Sequence, residues 1–286
     1  MKLYGIDFTS APRRKKPITC ASGELERGAL KLKQLETWEN FVGFEEHLAV
    51  GETSVTAIDF PFGQPRQLIE ALDWPGDWAH YVKRVASLTK IQFCEVIKRY
   101  RDQQPKGRKH HRRQTDQLAK AVSPMMLVGV PVGKMFYEGA PRLERSDVSI
   151  LPCRPTDSKQ IVIEGYPALV ARRLTIYDQV VSLSVKSHYK SDGVIADISV
   201  EDSEQQMRTS MLASLQSESF IADYCFSVEI EKPLAALMIE DPTGDLLDAL
   251  FCLIQAASWQ CNPKILPCNA DPLEGWIVDP LLEPFV

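Results

Sequence analysis

Closely spaced cysteine pairs are missing from this chain, although it contains seven cysteines. An odd number of thiols without a Cys-x-x-Cys pair is typical of a protein that keeps its cysteines reduced, so we expect free thiols and a cytoplasmic location. Cys261 and Cys268 lack the additional, closely spaced Cys or His ligands that zinc requires. A zinc site is therefore not predicted.

Long apolar runs are missing as well. No segment reaches membrane-spanning length, and the chain does not start with a basic and then apolar secretory pattern. We therefore expect a soluble, unprocessed protein with no membrane partner. No repeat and no Gly/Ser/Pro linker divides the 286 residues, and a hydrophobic content of 44% supports a sizeable core. These features predict one elaborated domain over residues 1–286.

The chain has no overall excess of positive charge, because its formal net charge is −5. This value argues against a protein that coats nucleic acid through bulk electrostatics. Residues 98–113, which we call the basic segment, nevertheless contain eight Lys or Arg residues and one acid, Asp102. Two interpretations stay open: a solvated helix end and loop, or an arm that binds the phosphates of a nucleic acid.

Three apolar segments, each followed by turn-forming residues, carry one carboxylate near their ends. Apolar runs of this kind are typical of strands that are covered on both faces. Ligands of open α/β sheets bind where such strands end, although an isolated strand-terminal acid is often only a turn former. The segments are residues 2–8, 55–60 and 161–164, and their acids are Asp7, Asp59 and Glu164.

An acidic pair, Asp245 and Asp248, begins a long apolar helix predicted over residues 244–258. Acids in the first turn of a helix can simply interact with the helix dipole. Residues three apart lie on one helical face, however, and the rest of this face is mostly apolar. Two buried carboxylates require a cation or a proton to neutralise them, so the pair also predicts a cation site.

Capping residues predict further helices outside the strands. We expect the helices over residues 78–87 and 90–101 to form a helical insertion around residues 77–122. The predicted helices cover residues 38–48 after Thr37, residues 78–87 after Asp77, residues 90–101 after Thr89, and residues 203–215.

Several separated motifs occur in an order that resembles a family of predicted RNase H-like nucleases, which carries an unknown-function domain label. The resemblance implies an α/β ribonuclease H-like fold, in which three antiparallel strands are followed by parallel strands and the mixed sheet is flanked by helices. The motifs are Gly5-Ile-Asp-Phe-Thr-Ser10, Ala57-Ile-Asp-Phe-Pro-Phe-Gly63, Ile163-Glu-Gly-Tyr-Pro-Ala168, Asp245-Leu-Leu-Asp-Ala-Leu250 and Glu274-Gly-Trp-Ile277.

The resemblance also implies functional residues. Asp7, Asp59, Glu164 and Asp248 are the implied catalytic acids, and Asp245 joins Asp7, Asp59 and Asp248 as an implied ligand of Mg²⁺ or Mn²⁺. Such hard cations prefer oxygen ligands, and two of them about 4 Å apart can hydrolyse a phosphodiester bond. The expected partner is a nucleic acid or a nucleotide. Its candidate binding residues are Arg108, Lys109, Arg112, Arg113, Thr115, Asp116, Lys186 and Lys190.

Two other functions remain compatible with these residues. Sugar and acetate kinases share the implied core fold and also have an acid on the first strand, but they carry Gly-rich phosphate loops that this chain lacks. A non-catalytic module could use the basic segment to bind nucleic acid or a protein. Metal binding would separate the enzymes from the module.

Overall fold

The computed structural model describes residues 1–177, 189–190 and 198–282 of the chain. Its described part forms an α/β structure around a mixed sheet of seven strands in the order β5-β6-β4-β1-β2-β3-β7. The strands are β1 (Lys2–Asp7), β2 (Ile18–Glu26), β3 (Ala29–Trp38), β4 (Ser54–Asp59), β5 (Ser149–Leu151), β6 (Gln160–Glu164) and β7 (Ser227–Glu229).

The first three strands form an antiparallel meander, and the sheet then continues in parallel from β1 through β4 and β6 to β5. On the other side, β7 runs parallel to β3. Strands β1 and β4 are almost fully buried because helices cover both faces of the sheet. The expected sequence of three antiparallel strands followed by parallel strands is confirmed.

Helices flank the sheet and fill the connections between the strands. The long connection from β4 to β5 contains α2 to α6, which include the expected insertion helices. The helices are α1 (Phe41–Leu48), α2 (Arg66–Ala71), α3 (Trp78–Ala86), α4 (Lys90–Gln103), α5 (Gln114–Leu118), α6 (Val132–Arg145), α7 (Pro167–Tyr177), α8 (Ile198–Ser214), α9 (Glu218–Tyr224), α10 (Lys232–Glu240) and α11 (Asp245–Cys261).

Two of the predicted helix starts are confirmed by their caps. The Asp77 carboxylate accepts a hydrogen bond from the backbone N–H of His80 at the start of α3. Thr89 and Gln92 form a reciprocal capping box at the start of α4. Side-chain acceptors satisfy N–H groups that have no partner within the helix, which makes such starts readable from sequence.

The predicted start of the first helix at residue 38 is wrong. Strand β3 continues through Trp38, because Thr37 pairs with Thr19 of β2 and Trp38 pairs with Ile18. The helix starts three residues later, where the Asn40 side chain accepts a hydrogen bond from the N–H of Val42. Sheet pairing, which local propensity does not include, therefore moves this boundary.

Helix α11 is buried along nearly its whole length, and it packs on one face of the sheet. A second cluster, which contains Phe8, Phe60 and Phe136, covers the opposite face. Burial on every side explains why α11 lacks a polar stripe. No helix in the described ranges is long and apolar enough to cross a membrane. All seven cysteines lie in those ranges and have free thiols.

Candidate metal centre

Asp7 and Asp59 lie side by side where two parallel strands end. They are the last residues of β1 and β4, and they are register partners in the parallel ladder. Both are preceded by buried apolar residues, which hold the strands in the centre of the sheet. Asp7 is 9% exposed. The two carboxylates therefore occupy the sheet edge at which α/β proteins bind ligands.

Gly5 allows α11 to approach these strand ends. A Cβ atom at Gly5 would lie 2.0 Å from the backbone nitrogen of Leu253 and 2.2 Å from the carbonyl oxygen of Ala249. Residues two apart on a strand share one face, so Asp7 lies on the side of β1 that faces α11. A glycine inside a strand signals such a close approach. This role of Gly5 was not predicted from the sequence.

The first turn of α11 adds two more acids, Asp245 and Asp248, to the strand-end pair. Asp248 is 2% exposed and Asp245 is 8% exposed. Gly244, the residue before the helix, has a φ of 70° and provides no capping side chain. The two aspartates therefore do not cap the helix as its N-cap residue. We call Asp7, Asp59, Asp245 and Asp248 the acidic cluster.

Burial and the charges of neighbouring acids raise the pKa values of Asp7, Asp59 and Asp245. The pKa of Asp7 lies well above its usual value because the side chain is buried and because Asp248, Asp245 and Asp59 are nearby. Burial, together with the charge of Asp248, raises the pKa of Asp59 to about 8. Burial raises that of Asp245 to about 6, although Lys16 opposes the increase. Burial and the neighbouring acids thus both favour the protonated forms of these three carboxyls.

Asp248 differs from the other acids because it has direct partners. The Lys190 ammonium lies 2.6 Å from Oδ2 of Asp248, and the Tyr189 hydroxyl donates a hydrogen bond of 2.5 Å to Oδ1. Burial alone would lower the pKa of Lys190, but the Asp248 carboxylate raises it above its usual value. Lys190 was expected to contact substrate, whereas here it contacts an acid. The role of Tyr189 had no signal in the sequence.

Arg113, which was expected to hold a phosphate oxygen, has its whole side chain engaged within the protein. Its side chain is 2% exposed, and all five of its N–H donors are used by Asp116, Glu164 and the carbonyl oxygen of Glu274, at 2.5–3.0 Å. No donor remains for a substrate. The Asp116 and Glu164 carboxylates keep the pKa of Arg113 well above its usual value, although burial alone would lower it.

Glu164, Thr115 and Asp116 are likewise occupied by contacts within the protein. Glu164 accepts from Arg113 with both oxygens and from the N–H of Phe62 at 2.9 Å. The Thr115 hydroxyl oxygen accepts a hydrogen bond of 3.0 Å from the N–H of Ile277. Both Asp116 oxygens accept from Arg113. In the structure all three side chains therefore bind within the protein, and the catalytic role of Glu164 and the substrate contacts of Thr115 and Asp116 stay predictions.

A small cavity of about 40 Å³ lies between Asp59, one member of the acidic cluster, and the Arg113 ion pairs. Its walls include Asp59, Arg113, Glu164 and Tyr166. The charge of Glu164 contributes to the raised pKa of Asp59, which also indicates that the two groups are close. Arg113, the last residue of the basic segment, therefore lies on the same cavity as Asp59 of the acidic cluster.

Most of the basic segment is accessible to a ligand. Arg108 and Arg112 are exposed, and Lys109 is partly exposed. Tyr100 is different, because its ring is 8% exposed and its hydroxyl forms a hydrogen bond of 2.8 Å with His111. The structure therefore leaves the three basic side chains available for phosphates. Lys186, the remaining candidate for substrate binding, lies outside the described residues.

The donor set of the acidic cluster fits a hard divalent cation. Among the described residues, no group of three His, Cys, Asp or Glu side chains is arranged to hold one metal ion. Mg²⁺ usually binds through one or two carboxylates and keeps several waters, so a complete protein cage is not required. Asp7 and Asp59 supply such a pair, and their raised pKa values indicate that a cation would stabilise both carboxylates.

Comparison of the chain with protein-family models, curated proteins and solved structures found no match. The resemblance to predicted RNase H-like nucleases therefore stays a prediction. The acidic cluster and the basic segment are the features of the chain that indicate a function.

Proposed function

We propose that this protein is a metal-dependent phosphodiester hydrolase with an RNase H-like fold, which acts on a nucleic acid or a nucleotide. The observation that carries the proposal is the pairing of Asp7 with Asp59 at the ends of two adjacent parallel strands. Neither carboxylate has a hydrogen bond or an ion pair with another described residue, and the pKa values of both are raised. Such a pair is suited to bind a cation.

The topology of the sheet supports the same proposal. An antiparallel meander of β1, β2 and β3 is extended in parallel by β4 next to β1, and α11 crosses the face that carries Asp7. This arrangement is the one that the sequence resemblance implies for an RNase H-like domain. A fold alone does not determine an activity, so the acidic pair remains the main argument.

The residues of the acidic cluster would bind and orient the reactants. Asp7 and Asp59 would hold Mg²⁺ or Mn²⁺ through their carboxylate oxygens. Such an ion, when bound, activates a water molecule and stabilises charge on the phosphate. Arg108, Lys109 and Arg112 would hold other phosphates of the substrate, because Arg and Lys donate hydrogen bonds to phosphate oxygens. The low exposure of Asp7 limits competition from bulk solvent.

Metal binding can be tested through thermal stability and its dependence on pH. The folded-state pKa of Asp59, about 8, lies above its ordinary value of 3.8. The folded state therefore retains a proton that the unfolded state loses, and the free energy of unfolding falls as the pH rises through this interval. In EDTA at pH 8, we expect Asp59→Asn to melt roughly 5 °C above the wild type. Mn²⁺ should raise the melting temperature of the wild type more than that of the variant.

The control for this experiment is Asp147→Asn, since Asp147 is exposed and lies outside the acidic cluster. It should melt like the wild type in both solutions. An equal response to Mn²⁺ in Asp59→Asn and the wild type would remove Asp59 from the metal site. If Mn²⁺ stabilises the wild type but the protein transfers phosphate from a nucleotide and does not cleave DNA or RNA, the phosphotransferase alternative is correct.

Substrate binding by the basic segment can be tested through its salt dependence. The combined change of Arg108, Lys109 and Arg112 to Gln should weaken binding to a single-stranded oligonucleotide. Each lost phosphate contact should reduce the slope of log K against log salt by about 0.7, because fewer counterions are released. Fluorescence anisotropy at several salt concentrations measures both quantities, with the active site inactivated by EDTA.

A matched control removes the same charge elsewhere. Changing Arg27, Lys31 and Lys33, on or next to β3, to Gln lowers the net charge equally. We expect this control to keep most of the wild-type slope. If the two triple variants show the same slope as the wild type, the basic segment is a solvated loop and does not bind phosphate.

A further inference from the structure

Lys190 and Tyr189 together occupy both oxygens of the Asp248 carboxylate. The Lys190 ammonium contacts Oδ2 at 2.6 Å, and the Tyr189 hydroxyl donates to Oδ1 at 2.5 Å. The Asp248 side chain is 3% exposed, so these contacts are shielded from solvent on the carboxylate side. A metal ion would have to compete with both donors to reach Asp248.

Tyr189 and Lys190 themselves have contacts on two sides. The buried Arg208 donates from Nη1 to the carbonyl oxygen of Tyr189 at 3.0 Å and from Nε to that of Ile239 at 2.8 Å. Gly244 packs so closely that a Cβ atom there would lie 2.9 Å from Cβ of Lys190. These contacts place the backbone of Tyr189 and Lys190, and the Lys190 side chain, which is 42% exposed, reaches the Asp248 carboxylate from there.

The charges of the acidic cluster can be balanced by this lysine and one divalent ion. Asp7, Asp59 and Asp248 would carry three negative charges when ionised, and Lys190 carries one positive charge. One divalent ion then neutralises the remaining pair, whereas two such ions would leave an excess of positive charge. The fourth acid, Asp245, has its own nearby cation in Lys16.

We propose that the Lys190 ammonium takes the position of a second metal ion at Asp248, so that the site binds one divalent cation, at Asp7 and Asp59. This inference rests on the proposed metal-dependent function and replaces the two-ion site implied by the sequence resemblance. Lys190 is then a positioning residue that occupies one oxygen of the Asp248 carboxylate.

The number of bound Mn²⁺ ions tests this inference without any measurement of activity. Isothermal titration and electron paramagnetic resonance of the wild type should give one ion per chain. Lys190→Met should bind a second ion, because it frees the Asp248 carboxylate. Lys190→Arg retains the charge and should bind one ion. Lys16→Met removes a lysine near the acidic cluster but not from Asp248, and it should also bind one.

The double variant Asp248→Asn/Lys190→Met removes both charges of the ion pair. It replaces Lys190→Met in the test if that single variant does not fold. It should bind one ion with an affinity within about threefold of the wild type. Two ions in the wild type, or one ion in a folded Lys190→Met variant, would overturn the inference while the metal site itself stands. Absence of Mn²⁺ binding in every variant would instead overturn the proposed function, and this inference with it.

Discussion

Asp7→Asn is expected to lower the rate of phosphodiester hydrolysis by about 10³-fold or more, which corresponds to about 4 kcal/mol of lost transition-state stabilisation. Asn has nearly the same shape as Asp, but its neutral amide cannot hold a divalent ion as a carboxylate does. Asp7 is more deeply buried than Asp59, and burial together with three neighbouring acids raises its pKa. Hydrolysis of a labelled oligonucleotide in Mn²⁺ measures the effect.

The stability of the same variant separates a functional role from a structural one. The Asp7 carboxylate repels its neighbours in the metal-free protein, so Asp7→Asn should fold and should melt at or above the wild-type temperature in EDTA. The exposed control, Asp147→Asn, should retain full activity. Wild-type hydrolysis by Asp7→Asn would exclude Asp7 as a metal ligand. Loss of activity that accompanies unfolding would assign it to the core.

Arg113→Met is expected to destabilise the protein by about 3–5 kcal/mol, because it leaves the Asp116 and Glu164 carboxylates buried without their cation. All five donors of Arg113 are bonded within the protein, and its side chain is 2% exposed. Chemical denaturation of the wild type and the variant measures the change in the free energy of unfolding. Each kcal/mol should also lower the melting temperature by roughly 2 °C or more.

The neighbouring residue offers a control for this prediction. Arg112→Met removes the same charge from an exposed position and should change stability by less than about 0.5 kcal/mol. Adding Glu164→Gln and Asp116→Asn to Arg113→Met should restore part of the loss, since no buried charge then remains unpaired. If Arg113→Met kept wild-type stability but weakened substrate binding, Arg113 would be a phosphate ligand after all.

Neutralising Asp7 or Asp59 and neutralising Arg113 should change the stability of the protein in opposite directions. Asp7 and Asp59 have no ionic partner among the described residues, so removal of their charge relieves repulsion. Arg113 is fully paired, so removal of its charge creates repulsion. The Arg113 side chain connects α5, β6 and the loop that contains Glu274, through its contacts with Asp116, Glu164 and the Glu274 carbonyl oxygen.

Several elements were predictable because local chemistry determines them. Asp77 and Thr89 cap α3 and α4 through side-chain acceptors within three residues, and such contacts depend little on the rest of the fold. Strands β1 and β4 have continuous apolar sequences that end in an acid, which indicated both their burial and their functional end. Thr37 failed as a cap because β2 extends β3 through pairing, a contact between distant residues.

The sequence alone determined that acids stand at the ends of the central strands and at the start of α11, because strand and helix patterns are periodic and local. Which acids are neutralised was decided only by the tertiary structure. Glu164 pairs with Arg113 across 51 positions of the chain, and Asp248 pairs with Lys190 across 58. Coulomb interactions depend on distance in space and on burial, neither of which sequence separation reveals. Among the described residues, Asp7 and Asp59 are therefore the strand-end acids that form no ion pair.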